Sequence, residues 1–137
     1  MEVTRRACER FRDIPVSVMN FVEGTRLTPA KHAAQASPYR HLLKPKSGGV
    51  AFVIDAMGES LHAILDVTIV YSDGPPSIVD LIGDRILEVR VAVRQRPIPE
   101  ALIGGSYHED RVFRARFQQW MNGLWEEKDT EITRLLG

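Results

Sequence analysis

Apolar residues recur at helical spacing near the start of the chain, where Val3, Ala7, Cys8 and Phe11 fall on one face of residues 2–12. Asp13 and Pro15 end that helix. Residues 16–21, Val-Ser-Val-Met-Asn-Phe, read as a short buried strand. A long polar stretch follows from Glu23 to Ser47, broken by Pro29, Pro38 and Pro45, with one or two helical turns from Lys31 to Ala36. The apolar block from Val50 to Met57 is ambiguous by period. Gly48, Gly49 and Gly58 bracket it, and it reads as a short helix. Residues 63–71 are apolar on both faces, so they predict a strand inside a sheet covered on both sides. After the turn at 73–76, Ser77 caps a short helix over 78–82 that Gly83 ends. Residues 86–96 alternate, with Leu87, Val89, Val91 and Val93 on one face and Glu88, Arg90, Arg94 and Arg96 on the other. From Asp110 to Leu136 the pattern is helical, with a stripe of Phe113, Phe117, Trp120, Met121 and Leu124 that reads as core packing. Helices interspersed with buried strands predict an α/β fold: a layered, mixed, mostly buried β-sheet flanked by helices. Without repeats or linkers, residues 1–137 read as a single domain.

Composition narrows the setting. The chain has 137 residues, 44% of them hydrophobic and 26% charged, which argues against disorder. Eighteen Lys and Arg balance eighteen Asp and Glu, so the chain is no globally basic nucleic-acid binder. The single cysteine, Cys8, excludes a disulfide scaffold and a multi-cysteine zinc site, and no metal ligand set is expected. Its place on the apolar face of the first helix makes it a packed thiol. No apolar run approaches the ~18 residues of a membrane span, and the first six residues lack the apolar core of a signal peptide. A soluble chain in a reducing compartment is expected. The balance hides an asymmetry: residues 1–54 hold nine Lys and Arg against four Asp and Glu, and residues 55–137 hold nine against fourteen. No acidic residue occurs from Gly24 to Ile54, a window with Arg26, Lys31, Arg40, Lys44, Lys46, His32 and His41. Such a window is either a local anion site or a solvated basic loop.

The candidate chemistry is concentrated at Phe21-Val22-Glu23-Gly24-Thr25-Arg26. Glycine allows a tight turn and close approach of a ligand. Thr25 offers a hydroxyl and a backbone N–H, and the Arg26 guanidinium matches phosphate oxygens. Glu23 can hold the arginine or accept from a substrate hydroxyl. The four residues alone favour a plain turn carrying a surface ion pair over a phosphate cradle. Farther along, Asp66 stands in an apolar strand and is expected to be satisfied by a neighbouring backbone or basic group. His62 lies about 13 Å from it at strand rise, too far for a direct acid–base pair.

The segment resembles the Phe-Pro-Glu-Gly-Thr-Arg signature of the glycerolipid acyltransferases, the lysophosphatidic acid acyltransferase superfamily. Thr28-Pro29-Ala30-Lys31-His32 is similar to the Thr-x-x-Lys-His of one branch. Residues 39–49, Leu65–Tyr71, Arg94–Pro99 and Trp125–Asp129 resemble further blocks of that branch, in order. The resemblance implies a partial acyltransferase domain, the carboxy-terminal part, that acts on a lysophospholipid, most simply 1-acylglycerol-3-phosphate. It also implies a membrane surface as partner of the intact protein and no bound cofactor, with acyl-CoA or acyl carrier protein as the donor substrate. Glu23, Gly24, Thr25 and Arg26 carry over as the acceptor-phosphate site. Lys31, His32, Lys44 and Lys46 are secondary candidates for the same anion. Val22 replaces the family's proline.

The family's base, the histidine of a His-x-x-x-x-Asp pair, is not found: His32, His41, His62 and His108 have Ser37, Lys46, Val67 and Phe113 five residues on. No catalytic residue is therefore assigned, and the chain by itself is expected to be inactive. The alternatives are a non-catalytic phospholipid- or coenzyme A-binding module, and a structural piece completed by another chain. Strands this apolar with uncovered faces also predict a homo-oligomer.

Overall fold

A computed structural model describes residues 17–137 except Asp73 and Pro75, together with their side chains apart from Glu59, Ile78 and Leu81. The helix expected over 2–12, Cys8 with it, lies outside the described residues. So does Val16, the first residue of the expected strand at 16–21. Residues 17–21 form no strand, and Met19 and Phe21 are exposed. With no neighbouring strand among the described residues to pair them, their β-branched and apolar side chains do not by themselves make a ladder.

Helix α1 spans Pro29–Gln35. It begins as its sequence dictates: the Thr28 hydroxyl accepts from the Lys31 N–H, and proline fills the first turn, where an N–H has no helical partner. Helix α2 spans Ser47–Met57, three residues longer at its start than the apolar block. Its buried positions, Ser47, Ala51, Ile54 and Met57, follow helical spacing and settle the ambiguous period. Strand β1 is Ile64–Tyr71 and strand β2 is Val89–Arg96, with the five-residue helix α3, Ile78–Ile82, in the connection. Ser77 and Asp80 make a reciprocal capping box at the start of α3. Helix α4, Arg111–Leu136, is capped by the Asp110 carboxylate, which accepts from the Val112 and Phe113 N–H groups.

The core lies between α2, α4 and the loop at 39–43. Tyr39, Leu42, Ala51, Ile54, Leu102, Phe113, Phe117, Met121 and Trp125 form one cluster. The buried stripe of α4 runs Phe113, Phe117, Met121, Trp125, so Trp125 takes the place that the periodicity assigned to Leu124. Phe117 is fully buried, with Tyr107 and Trp120 edge-on to its ring at centroid distances of 5.5 and 5.3 Å.

The sheet departs from expectation. Its two strands are antiparallel, with Val67 opposite Val93 and Ile69 opposite Val91. It packs on α4 by one face and is not mostly buried. Leu65 is 64% exposed, Val91 56% and Val93 58%. The face turned to α4 carries Asp66, Thr68, Arg94 and Arg96, and these pair with the helix through ions and hydrogen bonds. Lys128 Nζ donates to Asp66 Oδ1 at 2.6 Å and to Thr68 Oγ1 at 3.0 Å. Arg96 bridges Asp66 at 3.3 Å and Glu127 at 2.7 Å. Arg94 and Arg134 both hold the buried Glu131 carboxylate, at 2.6 and 2.8 Å. Asp66 is thus satisfied by basic neighbours, as its place in an apolar strand required.

Candidate anion-binding turn

The Glu23–Arg26 segment is a tight turn. Gly24 N–H donates to Phe21 C=O at 2.8 Å, and Gly24 has φ +66°, a conformation that a residue with a Cβ adopts only at a cost. The turn is tied to the loop before α2 by a bond of 2.8 Å from Lys46 N–H to Val22 C=O. That tie lays the Lys46 side chain along the turn, where a methyl on Gly24 would come within 3.3 Å of the ammonium. On the other side, Lys31 reaches back from α1. Its Nζ donates to Thr25 Oγ1 at 2.6 Å and to the Arg26 C=O at 3.4 Å. Gly24, Thr25, Arg26, Lys31 and Lys46 are all exposed. No carboxylate forms an ion pair with Arg26, Lys31 or Lys46 among the described residues. Cations on an exposed turn with no carboxylate partner among the described residues raise the local positive potential.

The other candidates separate. His32 Nε2 lies 2.6 Å from the Tyr39 C=O and pins the following loop. The Lys44 backbone N–H donates to Gln35 Oε1, and its side chain is solvent-facing. Glu23 neither pairs with Arg26 nor faces solvent fully. Its Oε1 accepts the Leu43 N–H at 3.2 Å. Partial burial pushes the Glu23 carboxyl above its ordinary range, against the Leu43 hydrogen bond and the Lys128 charge.

Several residues that shape this region were invisible to local pattern. Asp129 on α4 accepts the N–H groups of Arg40 and His41 at 2.9 and 2.7 Å. Trp125 Nε1–H donates to the buried Leu43 C=O at 3.1 Å. His41 Nε2 lies 3.1 Å from Thr133 Oγ1. These contacts span more than eighty residues of sequence, and nothing in the local spacing marks them. No group of three or more His, Cys, Asp or Glu side chains suited to a metal occurs among the described residues.

Comparison with known proteins agrees with the resemblance. The chain is 28% identical over 130 residues to lysocardiolipin acyltransferase 1 of Mus musculus, covering 86% of this chain and 32% of that protein. It is 26% identical over 132 residues to lysocardiolipin acyltransferase 1 of Gallus gallus, covering 88% and 32%. It is a relative of acyltransferases. A third match is an uncharacterized acyltransferase of Saccharomyces cerevisiae, 32% identical over 104 residues and covering 66% of this chain and 23% of that protein. The chain spans about a third of the length of the first two acyltransferases. No family profile and no solved structure matches it. No helix among the described residues is long and apolar enough to cross a membrane.

Proposed function

We propose that this chain is the acceptor-binding part of an acyltransferase that moves a fatty acyl group from an acyl thioester, carried by coenzyme A or acyl carrier protein, to a lysophospholipid. A lysophospholipid with a phosphate monoester, 1-acylglycerol-3-phosphate, is the acceptor we favour. The observation that carries the reading is the turn at Gly24–Arg26, flanked by Lys31 and Lys46 and free of carboxylate ion pairs among the described residues. A phosphate on that turn would meet the Arg26 fork and the ammonium groups, which would hold the acceptor but could not remove its hydroxyl proton. Acyl transfer requires a base within hydrogen-bond reach of that hydroxyl. None is assigned here, so the 137-residue chain by itself is expected to bind the acceptor without turning it over. The intact protein would work at a membrane surface, where its acceptor resides.

Titration with glycerol 3-phosphate tests the reading. A charge-assisted fork contributes roughly 1.5–3 kcal/mol, so Arg26→Ala should weaken binding about tenfold or more. Arg26→Lys should recover only part of it, because an ammonium lacks the planar fork. Equal affinities for wild type and Arg26→Ala would remove the phosphate site. Release of thiol from an acyl thioester that depends on lysophosphatidic acid would show that a base is present after all.

A further inference from the structure

The Leu43 backbone is held on both sides, at its N–H and its C=O, by side chains from distant parts of the chain. Its C=O accepts from Trp125 Nε1 on α4, and its N–H donates to Glu23 Oε1 in the anion-binding turn. Leu43 itself is fully buried, and Trp125 is buried with it. The segment around it is fixed independently. Asp129 takes the Arg40 and His41 N–H groups, Ser37 Oγ donates to the Leu42 C=O at 2.7 Å, and Lys46 N–H closes on Val22. The 39–46 segment is therefore a strap clamped to α4 on one side and to the turn on the other. Glu23 is the side-chain link on the turn side. A carboxylate whose burial disfavours its charge is kept there by the N–H that it accepts. Its carboxylate makes no ion pair with the Arg26 guanidinium, so holding the arginine is not the role its geometry serves.

We propose that Glu23 is a positioning residue, a strut that sets the Gly24–Arg26 turn relative to α4 through the Leu43 peptide and the Trp125 indole, and not a substrate contact. The proposal rests on the reading of the turn as a phosphate site only for its functional consequence. The strut itself is a matter of hydrogen bonds. An acceptor at position 23 is what it needs, with or without charge.

The test uses the 137-residue chain labelled with nitrogen-15, reading the Leu43 amide and Trp125 indole resonances, with glycerol 3-phosphate as the titrant. Glu23→Ala leaves the Leu43 N–H without its acceptor. Both resonances should move, and affinity for glycerol 3-phosphate should fall at least fivefold. Glu23→Gln keeps a side-chain oxygen at the same reach and should restore both resonances and most of the affinity. Trp125→Phe keeps the ring packing but removes the indole donor, so it should shift the Leu43 amide and weaken glycerol 3-phosphate binding from the far end of the strut. Unmoved resonances in Glu23→Ala would overturn the strut. An affinity loss in Glu23→Gln as large as in Glu23→Ala would overturn it too, by making the carboxylate charge the contact. A wild-type chain that binds no glycerol 3-phosphate, but shows the expected resonance shifts, would overturn the phosphate reading and leave the strut supported.

Discussion

Gly24 meets two demands at once. Its positive φ disfavours any side chain, and the space a Cβ would fill abuts the Lys46 ammonium. Gly24→Ala should therefore cost about 1–2 kcal/mol from the left-handed backbone alone. It should also displace Lys46 and weaken anion binding. Denaturant unfolding read beside a glycerol 3-phosphate titration separates the two, since a backbone penalty without loss of affinity would remove Lys46 from the site. At this scale much was legible. Glycine followed by a hydroxyl and a guanidinium, in a window without acids, marks a turn that could take an anion, and Lys31 and Lys46 flank it as candidates of that window. The hold that Trp125 and Asp129 exert on the 39–43 segment was not legible, because a contact across eighty residues leaves no trace in local spacing.

Among the elements, α4 and the two strands show where periodicity stops informing. Alternation along β2 was read correctly as a strand, but it does not say which face meets the helix. The apolar face, Val89, Val91 and Val93, turns outward, and the charged face meets α4, because α4 presents Glu127, Lys128, Glu131 and Arg134 there. Only partners on another element could have revealed that. Helix α3 was legible from its Ser77 cap and α4 from its helical period, whereas the caps that the structure shows at Thr28 and Asp110 were not read from the sequence. The ionic seam between α4 and the sheet gives a pH prediction. Hydrogen bonding from Arg134, with the charges of Arg134 and Arg94, holds the Glu131 carboxyl below its ordinary value. A depressed carboxyl contributes stability that is present above its unfolded value, near 4.5, and is lost as pH falls through the folded value. Glu131→Gln should lower stability at neutral pH and flatten the decline below pH 4.5. Urea midpoints at pH 7 and pH 3 measure both, and parallel curves for the two proteins would show that Glu131 does not titrate with folding. A second element-scale prediction concerns Gly105, where an added Cβ would fall within the Phe113 ring. Gly105→Ala should cost roughly 1–3 kcal/mol by overpacking, seen as a lowered Tm.

The whole molecule keeps its densest packing on one side of α4 and leaves aliphatic side chains exposed on the far side of the sheet. The expectation of a sheet covered on both faces came from the apolar character of residues 63–71, and it overstated what this chain covers. Leu65, Val67, Ile69, Val91 and Val93 form an uncharged exposed surface on a sheet that has two strands and open edges among the described residues. Such surfaces associate. Sedimentation at micromolar concentration should show dimers or larger species, and Val67→Lys should shift the population to monomer. A monomeric wild-type chain would show that this surface is too small to hold two copies together.

The two sides of the sheet also answer oppositely to dissolved ions. The inner side is a seam of opposed charges, Asp66, Arg94 and Arg96 against Glu127, Lys128 and Glu131. Its more exposed contacts lose attraction as mobile ions screen them over a Debye length of about 10 Å at 0.1 M. The outer side is aliphatic, and excluded anions such as sulfate strengthen its withdrawal from water. Both chloride and sulfate should weaken the exposed contacts of the seam, and sulfate should in addition favour association of the aliphatic faces of neighbouring molecules.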